Sequence, residues 1–343
     1  MRLMLVSDAW YPQVNGVVRT LDTVRGELEN TGYQASVVSP DLFRTVPCPT
    51  YPEIRLAVNP GGRMRRALAE IEPQAIHIAT EGPLGLAARN LCIRRGLPFT
   101  TSFHTRFPEY IQARTRLPAG LTYRGLRWFH NRAARVMVAT DGLQRELEQR
   151  GFEHVVRWSR GVDTELFRPR PKSDQGIARP IFAYVGRVAV EKNVEAFLAL
   201  DLPGTKLVVG DGPQLASLRS KYPQVRFTGA LFGEELARTY AEADVFVFPS
   251  RTDTFGLVLL EALGCGVPVA AFPVLGPLDV VAGKPVGVLD EDLRSAALRA
   301  LELDPRDCRA WAEQHSWRRC AETFAGWLEP IERSGRARGL ERP

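Results

Sequence analysis

Residues 181–193 read I-F-A-Y-V-G-R-V-A-V-E-K-N. The run 181–185, apolar throughout and with four of its five residues β-branched or aromatic, predicts a strand buried on both faces. Gly186 lets the chain leave that strand in a tight turn. Arg187 and Lys192 follow in one short loop, and a helix is expected over 193–200. Strand, short loop and helix make half of a βαβ unit, and a chain built of such units forms a parallel sheet. Downstream the pattern continues, with strands expected at 206–209, 225–228, 245–248, 268–272 and 286–289 and helices at 213–221, 233–242, 256–264 and 291–303.

Upstream the same alternation appears. An apolar run at 3–6 precedes a helical pattern in which Val17, Leu21, Val24 and Leu28 share one face, with Gly32 where a C-cap belongs. Strands are expected at 35–38, 75–79, 98–103, 136–139 and 154–158, and helices at about 62–72, 83–95, 118–134 and 142–150. Between the two series, D-T-E-L-F-R-P-R-P-K-S-D-Q-G-I-A (163–178) carries two prolines, several charges and little periodicity, as a linker does. The chain's 343 residues are too many for one ordinary core. The expected fold class is α/β: two doubly wound, Rossmann-like parallel-sheet domains facing a cleft. Expected boundaries are 1–165, a linker at 166–178, a second domain at 179–305 and a last helical stretch over about 306–331. A ligand would bind in the cleft, outside the carboxyl ends of the strands.

Composition narrows the class. Hydrophobic residues at 45% and charged residues at 24% describe a globular chain, and no apolar run approaches the roughly 18 residues of a membrane-spanning helix. The opening M-R-L-M-L-V-S-D reads as a first strand rather than a signal peptide, so a cytoplasmic protein is expected, at most peripheral on the inner face of the plasma membrane. Cys48, Cys92, Cys265, Cys308 and Cys320 form no C-x-x-C pair, which argues against a disulfide framework or a structural zinc site. A net charge of +6 asks for an anionic partner. Residues 106–135 hold seven arginines and one acid, Glu109, interleaved with Phe107, Tyr110, Tyr123, Trp128 and Phe129. Two readings stand: contact with an anionic bilayer, or core aromatics beneath a solvated basic face.

Two constellations carry chemistry. In G-R-V-A-V-E-K-N (186–193), Arg187 and Lys192 stand at the mouth of a parallel sheet beside a helix N-terminus, which suits a diphosphate; Glu191 beside them allows a plain surface pair instead. In S-R-T-D-T-F-G-L-V-L-L-E-A-L-G-C-G-V-P-V-A-A (250–271), Phe255-Gly256-Leu257 opens a helix whose first N–H groups are free to meet an anion. Asp253 precedes that helix and Glu261 lies inside it, so the two carboxylates would serve different parts of one long ligand, sugar hydroxyls at one and ribose hydroxyls at the other.

These motifs strongly resemble the retaining glycosyltransferases of family GT4, with the GT-B fold, in the GDP-mannose-dependent α-mannosyltransferase and glycolipid-synthesis branch. The resemblance extends to P-Q-V-N-G-V-V-R-T (12–20), S-F-H-T-R-F-P-E-Y (102–110), S-R-G-V-D-T-E-L-F-R-P (159–169) and G-D-G-P (210–213). It implies that Arg187 and Lys192 bind the donor diphosphate and stabilise the leaving nucleotide, and that Glu261 holds the ribose. Asp253 and the Phe255, Gly256 and Leu257 backbone would hold the transferred sugar. Gly16 would let the first domain's backbone approach the diphosphate, and His104 would contact a sugar hydroxyl or orient the acceptor. His77, His130, His154 and His315 read as structural or exposed. The family's first acid is Glu; here it is Asp253, one methylene shorter.

The resemblance further implies a hexosyl donor, GDP-mannose or a UDP-hexose, no metal, a lipid or glycan acceptor, and a final helix (306–332) returning to the first domain. The D-x-D at Asp290-Glu291-Asp292 reads as acids at a helix N-terminus rather than a metal site. No G-x-G-x-x-G follows the first strand and no G-x-x-x-x-G-K-[ST] occurs, against a nicotinamide dehydrogenase or a P-loop ATPase. A nucleotide-sugar epimerase or a degenerate sugar-nucleotide-binding protein is the alternative. No nucleic-acid reader motif accompanies the arginines.

Overall fold

A computed structural model describes residues 1–13, 15–48, 51–104, 119–173, 176–253 and 255–332. The first half contains β1 (Arg2–Val6), α1 (Gly16–Asn30), β2 (Gln34–Val38), β3 (Thr45–Cys48), β4 (Tyr51–Ala57), α2 (Gly61–Ile71), β5 (Ala75–Ile78), α3 (Pro83–Arg95), β6 (Thr100–Phe103), α4 (Ala119–His130), β7 (Arg135–Val138), α5 (Asp141–Gln149) and β8 (Val155–Arg157). Six of these strands form one parallel sheet in the order β2-β1-β5-β6-β7-β8. The second half contains β9 (Ile181–Val185), α6 (Val194–Leu198), β10 (Thr205–Val209), α7 (Leu215–Lys221), β11 (Arg226–Gly229), α8 (Gly233–Glu242), β12 (Val245–Phe248), α9 (Leu257–Gly264), β13 (Val269–Ala271), α10 (Pro277–Val281), β14 (Gly287–Leu289), α11 (Leu293–Ala300), α12 (Pro305–Glu313) and α13 (Trp317–Trp327). Its parallel sheet runs β11-β10-β9-β12-β13-β14.

Both strand orders reverse once, between β1 and β5 in the first sheet and between β9 and β12 in the second. Such a reversal opens a crevice at the carboxyl ends of the two strands, because the connecting helices leave on opposite faces. Each sheet is covered on both faces by apolar clusters, as parallel strands require. Val245, Phe246 and Val247, at the centre of the second sheet, have no exposure.

Three features depart from the expectation. An antiparallel hairpin, β3 with β4, interrupts the first series. Prolines 47 and 52 argue against strands in the sequence, but an isolated pair needs no ladder on its outer side and tolerates them. The final helical stretch is two helices, because Ser316 caps the second by accepting from the Arg319 N–H, and these pack on different partners, α12 on α9 and α13 on α1. The linker is strapped down rather than loose. Phe167 is buried against the Tyr240 ring with centroids 5.7 Å apart, while Arg170 pairs with Glu234 and Lys172 with Asp244.

The four buried cysteines are inert packing groups. Burial pushes the thiols of Cys92, Cys265 and Cys308 up to about 12 and that of Cys320 to about 11. His77 is fully buried between the hydroxyls of Thr100 (2.9 Å) and Ser102 (2.8 Å), and burial pushes it down to about 3. His130 bridges Thr101 and Glu81 in the same core. Both are structural, as expected. Asp292 caps α11 by accepting from Arg294 and Ser295, Asp290 pairs with Arg299, and Glu291 pairs with Arg251, so the D-x-D acids serve a helix N-terminus.

Candidate functional site

The site is assembled where the two strand-order reversals face each other. On the second sheet, the loop leaving β9 carries Arg187 and Lys192, and the loop leaving β12 carries Asp253. The two loops are stitched together. Asn193 Nδ2 donates to the Pro249 carbonyl (3.1 Å), and Thr252 Oγ1 donates to the Glu191 carbonyl (3.2 Å). The β9 exit also leans on Gly210 in the loop leaving β10. A Cβ there would stand 1.8 Å from the Gly186 carbonyl oxygen, so only glycine lets the two loops approach this closely. Tyr184 reaches up from β9 and donates its hydroxyl to the Arg187 carbonyl at 2.8 Å. Burial first, then Asp253 and Glu191, holds its phenol well above the usual range, so this donor stays protonated.

Lys192 Nζ is ion-paired with Asp253 Oδ1. The other oxygen, Asp253 Oδ2, is buried and accepts no hydrogen bond among the described residues. Arg187 is exposed at the loop surface. The α9 helix begins at Leu257 behind Gly256, whose φ of 82° no side-chain-bearing residue adopts readily, and among the described residues no side chain caps it. The first turn of α9 therefore presents uncapped N–H groups. Phe255 is buried in the second domain's core, so its side chain anchors the loop.

Glu261 lies one turn further in, with only 3% of its surface exposed. Both oxygens are engaged. Tyr240 donates its hydroxyl to Oε2 at 2.9 Å, and Oε1 accepts from Arg19 Nη2. Arg19 belongs to α1 of the first domain, so this ion pair spans the cleft; Glu261 in turn holds the Arg19 guanidinium above its ordinary range. Three residues earlier, a Cβ on Gly16 would lie 3.8 Å from Leu257 Cδ1, so the start of α1 abuts the start of α9. Asn15 caps α1 by accepting from the N–H groups of Val17 and Val18, both at 3.0 Å. Arg19 was missed in the sequence. Its signal was a cation one turn past the Asn15-Gly16 helix start, pointing from the same helix end.

His104 sits at the carboxyl end of β6, edge-on to Trp158 with ring centroids 5.8 Å apart. Its Nδ1 lies 3.2 Å from Arg160 Nη2. Burial above all, with Arg160, His77 and His130 adding, holds the imidazole well below 6.5, so it is neutral. The structure thus brings Phe255, Gly256, Leu257 and Glu261 to one cleft wall and Arg187, Lys192 and Asp253 to the adjoining loops, with Gly16 meeting Leu257 from the first domain and His104 on that same domain. A second interdomain contact fixes the pair of domains: the Gly142 N–H at the start of α5 donates to Asp279 Oδ1 of α10 at 3.1 Å.

The description Glycosyltransferase Family 4 matches residues 14–166, and Glycosyl transferases group 1 matches residues 179–303. A GDP-mannose-dependent alpha-mannosyltransferase of Mycobacterium tuberculosis is 32% identical over 315 residues, covering 84% of this chain and 83% of that protein. This chain is a family 4 glycosyltransferase. As such it is a hexosyltransferase that uses a nucleotide-sugar donor. A GDP-mannose-dependent alpha-(1-6)-phosphatidylinositol monomannoside mannosyltransferase of Mycolicibacterium smegmatis is 28% identical, over 95% of this chain and 99% of that one. Among solved structures, sucrose-phosphate synthase from Thermosynechococcus elongatus superposes with a TM-score of 0.78 at 19% identity, over 94% of this chain and 97% of that one. The glycosyltransferase has the GT-B fold expected of it.

The arginine-rich stretch of the glycosyltransferase divides. Residues 105–118, with Arg106, Phe107, Tyr110, Arg114 and Arg116, lie outside the described residues. In the remainder Tyr123 and Phe129 are core, at 5% and 4% exposure, while Trp128 is 58% exposed. The Arg89 guanidinium stacks on the Trp128 ring at 3.9 Å and donates to the Trp128 and Phe129 carbonyls that end α4. A shallow groove of about 240 Å³ beside it is lined by Ile93, Arg94, Trp128 and Arg132. No helix among the described residues is long and apolar enough to cross a membrane.

Proposed function

We propose that this glycosyltransferase transfers a mannosyl unit from GDP-mannose, with retention and without a metal, to an acceptor borne by a membrane lipid. The observation that carries the reading is the convergence of Arg187, Lys192, Asp253 and Glu261 at the strand-order reversal of the second sheet, opposite Gly16. The mannosyltransferases that match across both domains support the base and the sugar. Residues 1–165 form the acceptor half and 179–305 the donor half, joined by 166–178; of the stretch 306–332, α12 stays on α9 of the donor half and α13 returns to α1 of the first domain.

On this reading Arg187 and Lys192 hold the diphosphate, and Glu261 takes the ribose hydroxyls once Arg19 yields part of its hold. Asp253, with one oxygen on Lys192 and the other without a hydrogen-bond partner among the described residues, takes a sugar hydroxyl. The α9 N-terminus adds positive potential beside the sugar. His104, a neutral imidazole, donates to a hydroxyl. Among the described residues of the site, Asp253 is tied to Lys192 and Glu261 to Arg19 and Tyr240, which favours attack on the same face as departure. The acceptor oxygen bonds to the anomeric carbon as its bond to the β-phosphate oxygen breaks, and that phosphate oxygen takes the acceptor's proton. The protein contributes position and charge stabilisation, with the two cations in the place a metal would fill.

A thermal-shift panel tests the donor. GDP-mannose and GDP are expected to raise the melting temperature by several degrees at about 100 times their Kd, UDP-hexoses by less, and EDTA is expected to change neither. A response confined to UDP-sugars, or one abolished by EDTA, would overturn the donor or the metal-free site.

The acceptor reading rests on the surface of α3 and α4, where Ile93, Leu121 and Trp128 are exposed among Arg94, Arg95, Arg124, Arg127 and Arg132. An amphipathic basic face of this kind suits an anionic bilayer. In flotation assays the protein is expected to bind vesicles containing phosphatidylglycerol and to ignore pure phosphatidylcholine. At about 1 kcal/mol per arginine, the double variant Arg124→Ala with Arg132→Ala is expected to lose tenfold or more in partitioning. Equal binding to both vesicle types would remove the bilayer from the account.

A further inference from the structure

Arg160 is 5% exposed, yet no carboxylate pairs with it among the described residues. Its Nη1 donates to the Trp158 carbonyl at 2.6 Å and the Ser159 carbonyl at 3.3 Å, and its guanidinium carbon rests 4.3 Å from the centre of the Trp158 ring. What remains is Nη2, which meets His104 Nδ1 at 3.2 Å. A buried cation without a counterion is costly to keep, so the arrangement asks for a use.

The turn that carries Arg160 is held by the last helix. Trp158 Nε1 donates to the Cys320 carbonyl (3.1 Å), Cys320 Sγ donates to the Ser159 carbonyl (3.1 Å), and Val162 bridges to Ser316. A Cβ on Gly161 would lie 2.6 Å from the Trp317 nitrogen, so this turn and the start of α13 fit without slack. Arg160 is therefore fixed from both sides of its own position, and its direction toward His104 is imposed by packing.

A guanidinium has donors and no acceptor. Opposite it, an imidazole nitrogen can only offer its lone pair. We propose that Arg160 is a positioning residue that holds His104 as the neutral tautomer with its proton on Nε2, so that His104 acts as a hydrogen-bond donor and never as a base through Nδ1. The second proton of an imidazolium would point at the guanidinium, so the same contact opposes protonation. Among the described residues, His77 and His130 are the other titratable groups facing His104, and they are themselves engaged by the hydroxyls of Thr100, Ser102 and Thr101. Arg160 arrives two strands away from β6 and through a turn pinned by a helix from the end of the chain, which is why no local motif reveals the pair.

The proposal rests on the reading of His104 as a site residue, and the test separates the two. In the intact enzyme with ¹⁵N-labelled histidine, long-range ¹H–¹⁵N correlation is expected to show His104 with a bare Nδ1 and a protonated Nε2. In Arg160→Met the tautomer is expected to become mixed. Its kcat is expected to fall about tenfold or more with the donor KM unchanged, and the acid limb of its pH–rate profile to move to higher pH. Arg160→Lys, again a donor only, is expected to restore the tautomer and part of the rate, which a purely structural loss would not allow. A proton on Nδ1 in the unmodified enzyme would overturn the proposal. So would a fall in kcat in Arg160→Met with the tautomer unmoved. Full activity in His104→Ala would instead sink the role of His104 while leaving the tautomer measurement to decide the function of Arg160.

Discussion

Replacing Arg187 by alanine is expected to lower kcat on the order of 10²–10³-fold while leaving the fold intact. Negative charge develops on the departing diphosphate only as the glycosidic bond breaks, so a fixed cation beside it is worth more in the transition state than in the ground state. Removing one such donor from a preorganised site costs roughly 3–4 kcal/mol of barrier. Arg187 is exposed, and the Tyr184 hydroxyl meets its backbone carbonyl, a bond that truncation of the side chain leaves in place. Initial rates at saturating donor, beside a thermal melt, check both halves. Full turnover in the variant would end the account of the diphosphate site. Lys192 is a less clean probe, because its loss strands the partly buried Asp253 carboxylate.

Glu261→Ala is expected to act twice. The donor KM should rise by about 10- to 100-fold, the worth of a charge-assisted pair of hydrogen bonds to the ribose. Stability should also fall, because the fully buried Tyr240 hydroxyl loses its acceptor, at a cost of about 1–3 kcal/mol. Arg19 loses its partner across the cleft in the same step. Glu261→Gln keeps an acceptor for Tyr240 and the shape of the side chain, so stability is expected to recover in large part while the donor KM stays raised. Steady-state kinetics over a donor range and denaturant unfolding of both variants read the two effects apart. An unchanged donor KM in both variants would remove Glu261 from the donor site.

The two carboxylates illustrate how differently residues reveal themselves. Spacing alone separated Asp253 from Glu261, since a loop residue and one a full turn into a helix cannot occupy the same point. It could not show that Glu261 is buried and held by Tyr240, twenty-one residues upstream, and by Arg19 from the other domain. His104 stood out through the resemblance of S-F-H-T-R-F-P-E-Y (102–110) to the family, since a lone histidine at a strand end is more often structural. Its tautomer depends on Arg160, fifty-six residues away. The arginine-rich stretch left two readings open, and the described part answers both ways: Tyr123 and Phe129 turn inward while Trp128 faces out.

What the sequence by itself determined is what local rules control. Period and turn chemistry marked the βα units, the two domains and the loops that leave β9 and β12, because a buried parallel strand and the glycine after it are each written in a few adjacent residues. The β3–β4 hairpin escaped those rules, since its prolines are tolerated only because nothing pairs on the outer side. Only the tertiary structure decided which charges meet. Arg19 with Glu261, Gly142 with Asp279 and Arg160 with His104 join segments 242, 137 and 56 residues apart. Such pairs follow from how two sheets and a returning helix pack, and packing is a property of the whole chain.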